Sequence, residues 1–143
     1  MSKIKHWKDP FDCLELKRFD DERGMLFEIL RFKDFNIPPN GQLYTFSINS
    51  NKRRGDHYHL NKQEWFTCVH GSAIVLLTSI DGKDESFEIN SKNPKIIYAA
   101  PGTSHALINK SDSESVIVSY KSSQHDPKNA DTYPKQTFTN FKF

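Results

Sequence analysis

The sequence predicts an all-β chain folded as one small sandwich or barrel, with a jelly roll as one form. Three observations carry that expectation. Apolar residues alternate with polar ones at period two, the alternating segments are short and follow one another at spacings of roughly ten residues, and Gly, Pro, Asn or Asp stands between them. With 143 residues, the chain has enough material for one core and hardly for two. No internal repeat, low-complexity run or Pro/Gly/Ser-rich linker divides it. The expectation is a single domain over 1–143, with a barrel core at about 14–121 and a C-terminal extension at 122–143.

Each element follows from its residues. Asp12–Phe19 and Phe27–Asp34 lack a helical period over three turns and read as extended. In Gln42–Asn49, Tyr44, Phe46 and Ile48 alternate with Thr45 and Ser47. In Glu64–His70, Trp65 and Val69 fall on one face and Phe66 and Cys68 on the other. Ser72–Ile80 is rich in branched residues, and Asp81-Gly82 supplies hairpin chemistry before the return strand Ser86–Asn90. Lys95–Ala99 and Ser115–Tyr120 complete the set. The polar tail from Gln124 onward holds Pro127 and Pro134 and ends in Phe138, Phe141 and Phe143, so it is expected to lie over the barrel or frame one end.

Composition narrows the function. A net charge of +2, from 20 basic and 18 acidic side chains, lacks the concentrated basic face of a nucleic-acid binder. The cluster Lys52-Arg53-Arg54 is too short to alter that, although it can hold a phosphate. Cys13 and Cys68 form no Cys-x-x-Cys pair, which points to a reducing compartment and no disulfide scaffold. No stretch near the N-terminus reads as a signal peptide, and none approaches the roughly 20 apolar residues of a membrane helix. The expectation is a cytoplasmic protein without a membrane partner.

The chemistry-bearing feature is Gly55-Asp56-His57-Tyr58-His59. Residues two apart in a strand share a face, so His57 and His59 can aim two imidazoles into one interior. Glu64 follows on the next segment. Pro101-Gly102-Thr103-Ser104-His105 forms a second cluster, and its strand can set His105 opposite the first pair. Three imidazoles and a carboxylate suit a divalent transition ion: zinc first, with nickel, iron, manganese or copper also compatible with N/O ligation. His6, His70 and His125 lack such neighbours and read as ordinary side chains. Cys68 reads as a small core residue, and Tyr44, Phe46, Trp65 and Phe66 as core rather than a sugar platform.

These residues resemble the two motifs of the cupin superfamily. His57, His59, four residues, Glu64, six residues and Gly71 match the first motif. Gly102, two residues, His105, three residues and Asn109 match the second, with the departure that Pro101 directly precedes Gly102 and Ala100 takes the usual proline place. The resemblance implies a cupin jelly-roll barrel with His57, His59, Glu64 and His105 as metal ligands. The wording RGDHYHLNKQEWFTCVHGSAIV, together with HDPKNADTY, looks like the C-terminal cupin domain of bifunctional capsular-polysaccharide enzymes. Those pair a reductase with a cupin that epimerises a UDP-4-keto-6-deoxy-hexosamine. That resemblance spans roughly Phe19 to Tyr133, and the reductase half is missing from this sequence.

A more distant resemblance joins Asp21-Glu22-Arg23-Gly24, Phe27-Glu28 and Arg54-Gly55-x-His57-Tyr58 to the dTDP-4-keto-6-deoxyhexose 3,5-epimerases and 3,4-ketoisomerases. In those enzymes the residue matching His57 is a general base and no metal is needed. The glutamine expected two positions later in the epimerases is His59 here.

Both resemblances imply a UDP- or dTDP-linked 4-keto sugar as substrate and a homodimer as assembly. The implied reaction removes a proton beside the ketone and returns it, which needs a base, an acid and oxyanion stabilisation. With four ligands on a metal, the base candidates are Lys62, Tyr58 and Tyr44, in that order; without metal, the candidate is His57. Arg23, Arg54 and Arg53 are the phosphate candidates. A non-catalytic sugar-nucleotide-binding or assembly cupin and a small metal-dependent oxygenase stand as the alternatives.

Overall fold

A computed structural model describes residues 4–142. Among the described residues twelve strands form in chain order: β1 Phe11–Glu15, β2 Arg18–Asp21, β3 Gly24–Phe27, β4 Gln42–Ile48, β5 Arg53–Tyr58, β6 Glu64–His70, β7 Ser72–Thr78, β8 Asp84–Asn90, β9 Lys95–Ala99, β10 Ser104–Ile108, β11 Ser115–Lys121 and β12 Tyr133–Pro134. One sheet runs β1-β9-β6-β11-β4 and the facing sheet runs β12-β5-β10-β7-β8, while β2 and β3 pair only with each other. Every pairing is antiparallel. The two facing sheets make a jelly-roll barrel.

Strand periodicity explains the layers. On β6, Phe66 and Cys68 point between the sheets and meet Ile48, Val75, Leu77, Ile97, Leu107 and Ile117. Trp65 points the other way, onto a second cluster with Ile96, Tyr98 and Tyr120. Trp7, Leu14, Leu16, Ile29, Leu30 and Phe35 pack against that cluster. On the opposite side, Phe138 and Phe141 of the C-terminal tail pack on Leu76, Ala106 and Ile108. Both sheets are thus apolar on both faces, and the two ends of the chain cover the outer ones.

Two sequence expectations are refined. Asp12–Phe19 is extended but broken, with β1 ending at Glu15 and β2 starting at Arg18. Phe27–Asp34 is not a strand throughout: β3 ends at Phe27, 28–31 join no strand, and a turn spans 32–36, with Phe35 N–H donating to Arg31 O at 2.7 Å and Ile37 N–H to Phe32 O at 2.9 Å. The apolar residues there serve the outer cluster, which rewards burial without requiring strand geometry.

Candidate active site and metal centre

β5 and β10 build one wall of the site. His57 is the register partner of His105, and a bulge follows between His105 and Ala106. The strands close tightly because residue 55 is glycine: a Cβ there would meet His105 O at 2.7 Å, and its φ of +98° lies where L side chains are rare. β4, β6 and β11 build the other wall. Ser119 is opposite Tyr44 on one side and Phe66 on the other, and Lys121 is opposite Glu64.

The imidazoles of His57, His59 and His105 each offer a nitrogen, all within 4.8 Å of one another. Glu64 Oε1 lies 3.1 Å from His59 Nε2 and 3.4 Å from His105 Nε2. Glu64 Oε2 already accepts from Tyr44 Oη at 2.5 Å and from Ser119 Oγ at 2.8 Å. One carboxylate oxygen is therefore committed to hydroxyl donors, and the other faces the imidazoles.

Burial disfavours charge on Glu64, yet the imidazoles of His105 and His59, with Lys121, more than offset it and hold the carboxyl well below its usual range. Burial pushes the His105 imidazole down to about 4, and it lowers His57 as well. At neutral pH His57 and His105 thus present uncharged imidazoles beside a carboxylate.

Both ring nitrogens of the buried His105 lack a hydrogen-bond partner among the described residues. Such orphaned atoms are costly unless something bonds to them. Nitrogen and oxygen donors of this kind, converging within ligand reach, fit a divalent transition ion. His57, His59 and His105 can hold a metal ion, with Glu64 Oε1 beside them.

A cleft of about 310 Å³ opens onto this cluster. Its lining includes the buried Glu64 and His105 at the bottom, the partly exposed His57, and Tyr44, Phe46, Lys121 and the exposed Arg54 toward the mouth. Tyr44 and Phe46 stack with ring centroids 6.0 Å apart. Lys121 Nζ sits 4.8 Å above the Tyr44 ring, and the Arg54 guanidinium sits 5.7 Å above that of Phe46. Arg54 Nε donates to Ser47 O at 2.8 Å, and among the described residues neither cation has a carboxylate in salt-bridge range.

The sequence candidates separate accordingly. His57, His59, Glu64 and His105 come together. Of the three base candidates, only Tyr44 reaches the cleft. Lys62 is buried away from it, with Nζ donating to Gln124 O at 3.2 Å. Tyr58 stacks on Tyr133 instead of lining the cleft. Burial pushes the Tyr44 hydroxyl far up, so it remains a donor to Glu64.

Of the phosphate candidates, only Arg54 lines the cleft. Arg53 pairs with Asp56 at 2.7 Å, and Arg23, whose side chain is 84% exposed, pairs with Asp21 on the separate β2–β3 hairpin. Of the residues expected in the core, Trp65 and Phe66 are fully buried and Phe46 packs against the core cluster, while Tyr44, Phe46 and Phe66 also line the cleft. Lys121, Ser119 and Asp131 were not anticipated. Period two on β11 puts Ser119 and Lys121 on one face, but only the strand register sets them beside Glu64.

A two-sheet jelly roll with histidines and a glutamate gathered inside is a cupin. Residues 19–133 match the family described as the polysaccharide biosynthesis C-terminal domain, and the chain belongs to that family. Comparison with curated proteins gave no match.

Among solved structures, the chain is similar to the capsular polysaccharide assembling protein CapF from Staphylococcus aureus, with 21% identity, 85% of this chain and 34% of that chain covered, and a TM-score of 0.66. It thus spans about a third of the length of CapF. A dTDP sugar isomerase from Desulfovibrio desulfuricans G20 is 13% identical over 94% of this chain and 90% of that one, with a TM-score of 0.83. The 3,4-ketoisomerase QdtA from Thermoanaerobacterium thermosaccharolyticum, solved in complex with TDP-4-keto-6-deoxyglucose, is 19% identical over 88% of each chain, with a TM-score of 0.71.

Proposed function

We propose that this cupin is an epimerase or isomerase acting on a nucleotide-linked 4-keto-6-deoxy sugar in polysaccharide biosynthesis. The observation that carries the reading is the cleft itself: an uncharged imidazole, His57, opens into it beside Glu64 and His105, and two cations that have no carboxylate partner among the described residues stand at its mouth. The family membership and the likeness to sugar epimerase and isomerase folds support the same class.

In this reading Arg54 and Lys121 meet the diphosphate, and the stacked Tyr44 and Phe46 offer an apolar wall to the sugar. His57, neutral because of burial, removes the proton beside the ketone, and a separate donor, such as water in the cleft, returns a proton to the opposite face. His59, Glu64 and His105 hold a divalent ion, with zinc the first to test. When bound, such an ion supplies Lewis-acid stabilisation of a developing oxyanion. Tyr44 and Ser119 keep Glu64 oriented by occupying its second oxygen. The position of His57 nitrogen within 4.8 Å of the other two imidazoles supports a second assignment, in which His57 is a fourth ligand.

The deciding experiment incubates the protein in deuterium oxide with UDP- and dTDP-4-keto-6-deoxy sugars. Deuterium entering beside the ketone supports the proposal. Saturable binding without exchange turns it into a non-catalytic sugar-nucleotide cupin, and oxygen consumption with an iron-loaded site makes it an oxygenase. His57→Asn separates the two assignments: exchange lost with metal retained makes His57 the base, and metal lost makes it a ligand. Sedimentation tests the homodimer that the resemblance implies.

A further inference from the structure

The C-terminal segment runs back along β5 and its following loop, bonding to them almost residue by residue. Asp131 Oδ1 accepts from Leu60 N–H and Oδ2 from Asn61 N–H, each at 2.8 Å. Tyr133 and Pro134 pair with Tyr58 and His57, and Lys135 N–H donates to Asp56 O at 2.9 Å. Within this strap, the Asp131 carbonyl oxygen stands 2.5 Å from His59 Nδ1. Thr132 Oγ1 is 3.4 Å from the same nitrogen.

A carbonyl oxygen only accepts, so the close contact assigns the ring hydrogen to Nδ1. The lone pair of a neutral His59 is then on Nε2, which faces Glu64 Oε1 at 3.1 Å. A lone pair aimed at a carboxylate oxygen is unfavourable unless a positive charge lies between them: a second proton on Nε2, or a metal ion that displaces that proton. From this geometry we infer that Asp131 is a positioning residue: its side chain fixes the loop, its carbonyl fixes the His59 tautomer, and together they present Nε2 as a metal donor. Ligand orientation at the centre is thus set from 72 residues downstream. The functional consequence rests on the proposed metal site, whereas the tautomer does not.

Two measurements test the inference. Zinc affinity, measured by competition with a chromophoric chelator, is expected to fall about 10–100-fold in Asp131→Ala, the usual cost of losing an outer partner of a ligating histidine. Asp131→Asn keeps an acceptor oxygen and recovers part of the loss. Phe141→Ala, which loosens the tail at the far side of the barrel, is expected to lower the melting temperature and leave zinc affinity unchanged.

In metal-free protein, nitrogen NMR of the His59 ring is expected to show the Nδ1–H form in wild type and a mixture in Asp131→Ala. Zinc affinity within twofold of wild type in Asp131→Ala overturns the inference. So does an equal loss in Phe141→Ala, or a wild-type ring carrying its hydrogen on Nε2. A wild type that takes up no zinc sinks the metal reading on its own, and the ring spectra alone then decide the role of Asp131.

Discussion

The floor and the mouth of the cleft are built on opposite terms. At the floor, Glu64 and His105, with the adjoining His59 outside the cleft lining, are all at most 3% exposed, and the contacts of His59 and Glu64 are dictated by fixed neighbours: the Asp131 carbonyl, Tyr44 and Ser119. At the mouth, Arg54 is exposed and Lys121 half-buried, and their cations rest on aromatic faces rather than on carboxylates. The floor's donors are held rigidly in a dry place where an unpaired polar atom is costly, while the mouth keeps its charges available for something that arrives. His57 belongs to both, being the partly exposed imidazole of the set.

The contrast breaks first if the floor tolerates change. His105→Ala removes a buried donor, and zinc affinity is expected to fall by more than the roughly 10–100-fold that an outer partner costs. Metal content by mass spectrometry and chelator competition measure it; undiminished zinc would mean that the floor is not a ligand set.

Gly55→Ala attacks the seam where β5 closes on β10. A φ of +98° and a Cβ 2.7 Å from His105 O should cost about 1–3 kcal/mol in urea unfolding, with weaker metal binding alongside. An unchanged midpoint would show that the two strands can part without disturbing the site.

Changes at the mouth should be gentler and selective. Arg54→Ala is expected to weaken binding of a nucleoside diphosphate about tenfold, or ~1.4 kcal/mol, while zinc affinity stays the same. Calorimetry with UDP and dTDP reads this, and coupled loss of zinc would erase the distinction between floor and mouth.

The smallest effect lies outside both regions. Burial would raise the Asp12 carboxyl, but hydrogen bonds from Lys5 and from the Lys8 and Cys13 N–H groups outweigh it and hold the group below its ordinary value. A carboxyl depressed in the folded state contributes stability above its unfolded pKa of about 3.9, and that contribution is lost as pH falls through the lower folded value. Replacing Asp12 with Asn should cost about 1 kcal/mol or less at pH 7 and flatten the acid limb of the stability curve. An acid limb identical to wild type would remove Asp12 from the account.

Much of the barrel was legible because alternation is a local property. The segments at Gln42, Glu64, Ser72, Lys95 and Ser115 all became strands near the expected bounds. The turn at 32–36 was misjudged because the apolar residues around it are bought by burial under an outer face, which leaves no periodic mark. Within the site, His57, His59, Glu64 and His105 stood out by spacing and residue type. Lys62 and Tyr58 were favoured by nearness in sequence, but in a strand or its loop adjacent residues point to different surroundings. Lys121 and Asp131 carried no local signal, since each matters only beside a residue more than fifty positions away.

The sequence by itself determined the β class, the candidate ligands and the resemblance that the family match bears out, because strand period and donor chemistry are written in short segments. Only the tertiary structure decided which cations reach the cleft, which oxygen of Glu64 is free and what orients His59. Those depend on the register of β11 against β4 and β6 and on the path of the strap along β5. Register and chain path are set by the sum of many weak contacts across the whole barrel, and no single segment encodes that sum.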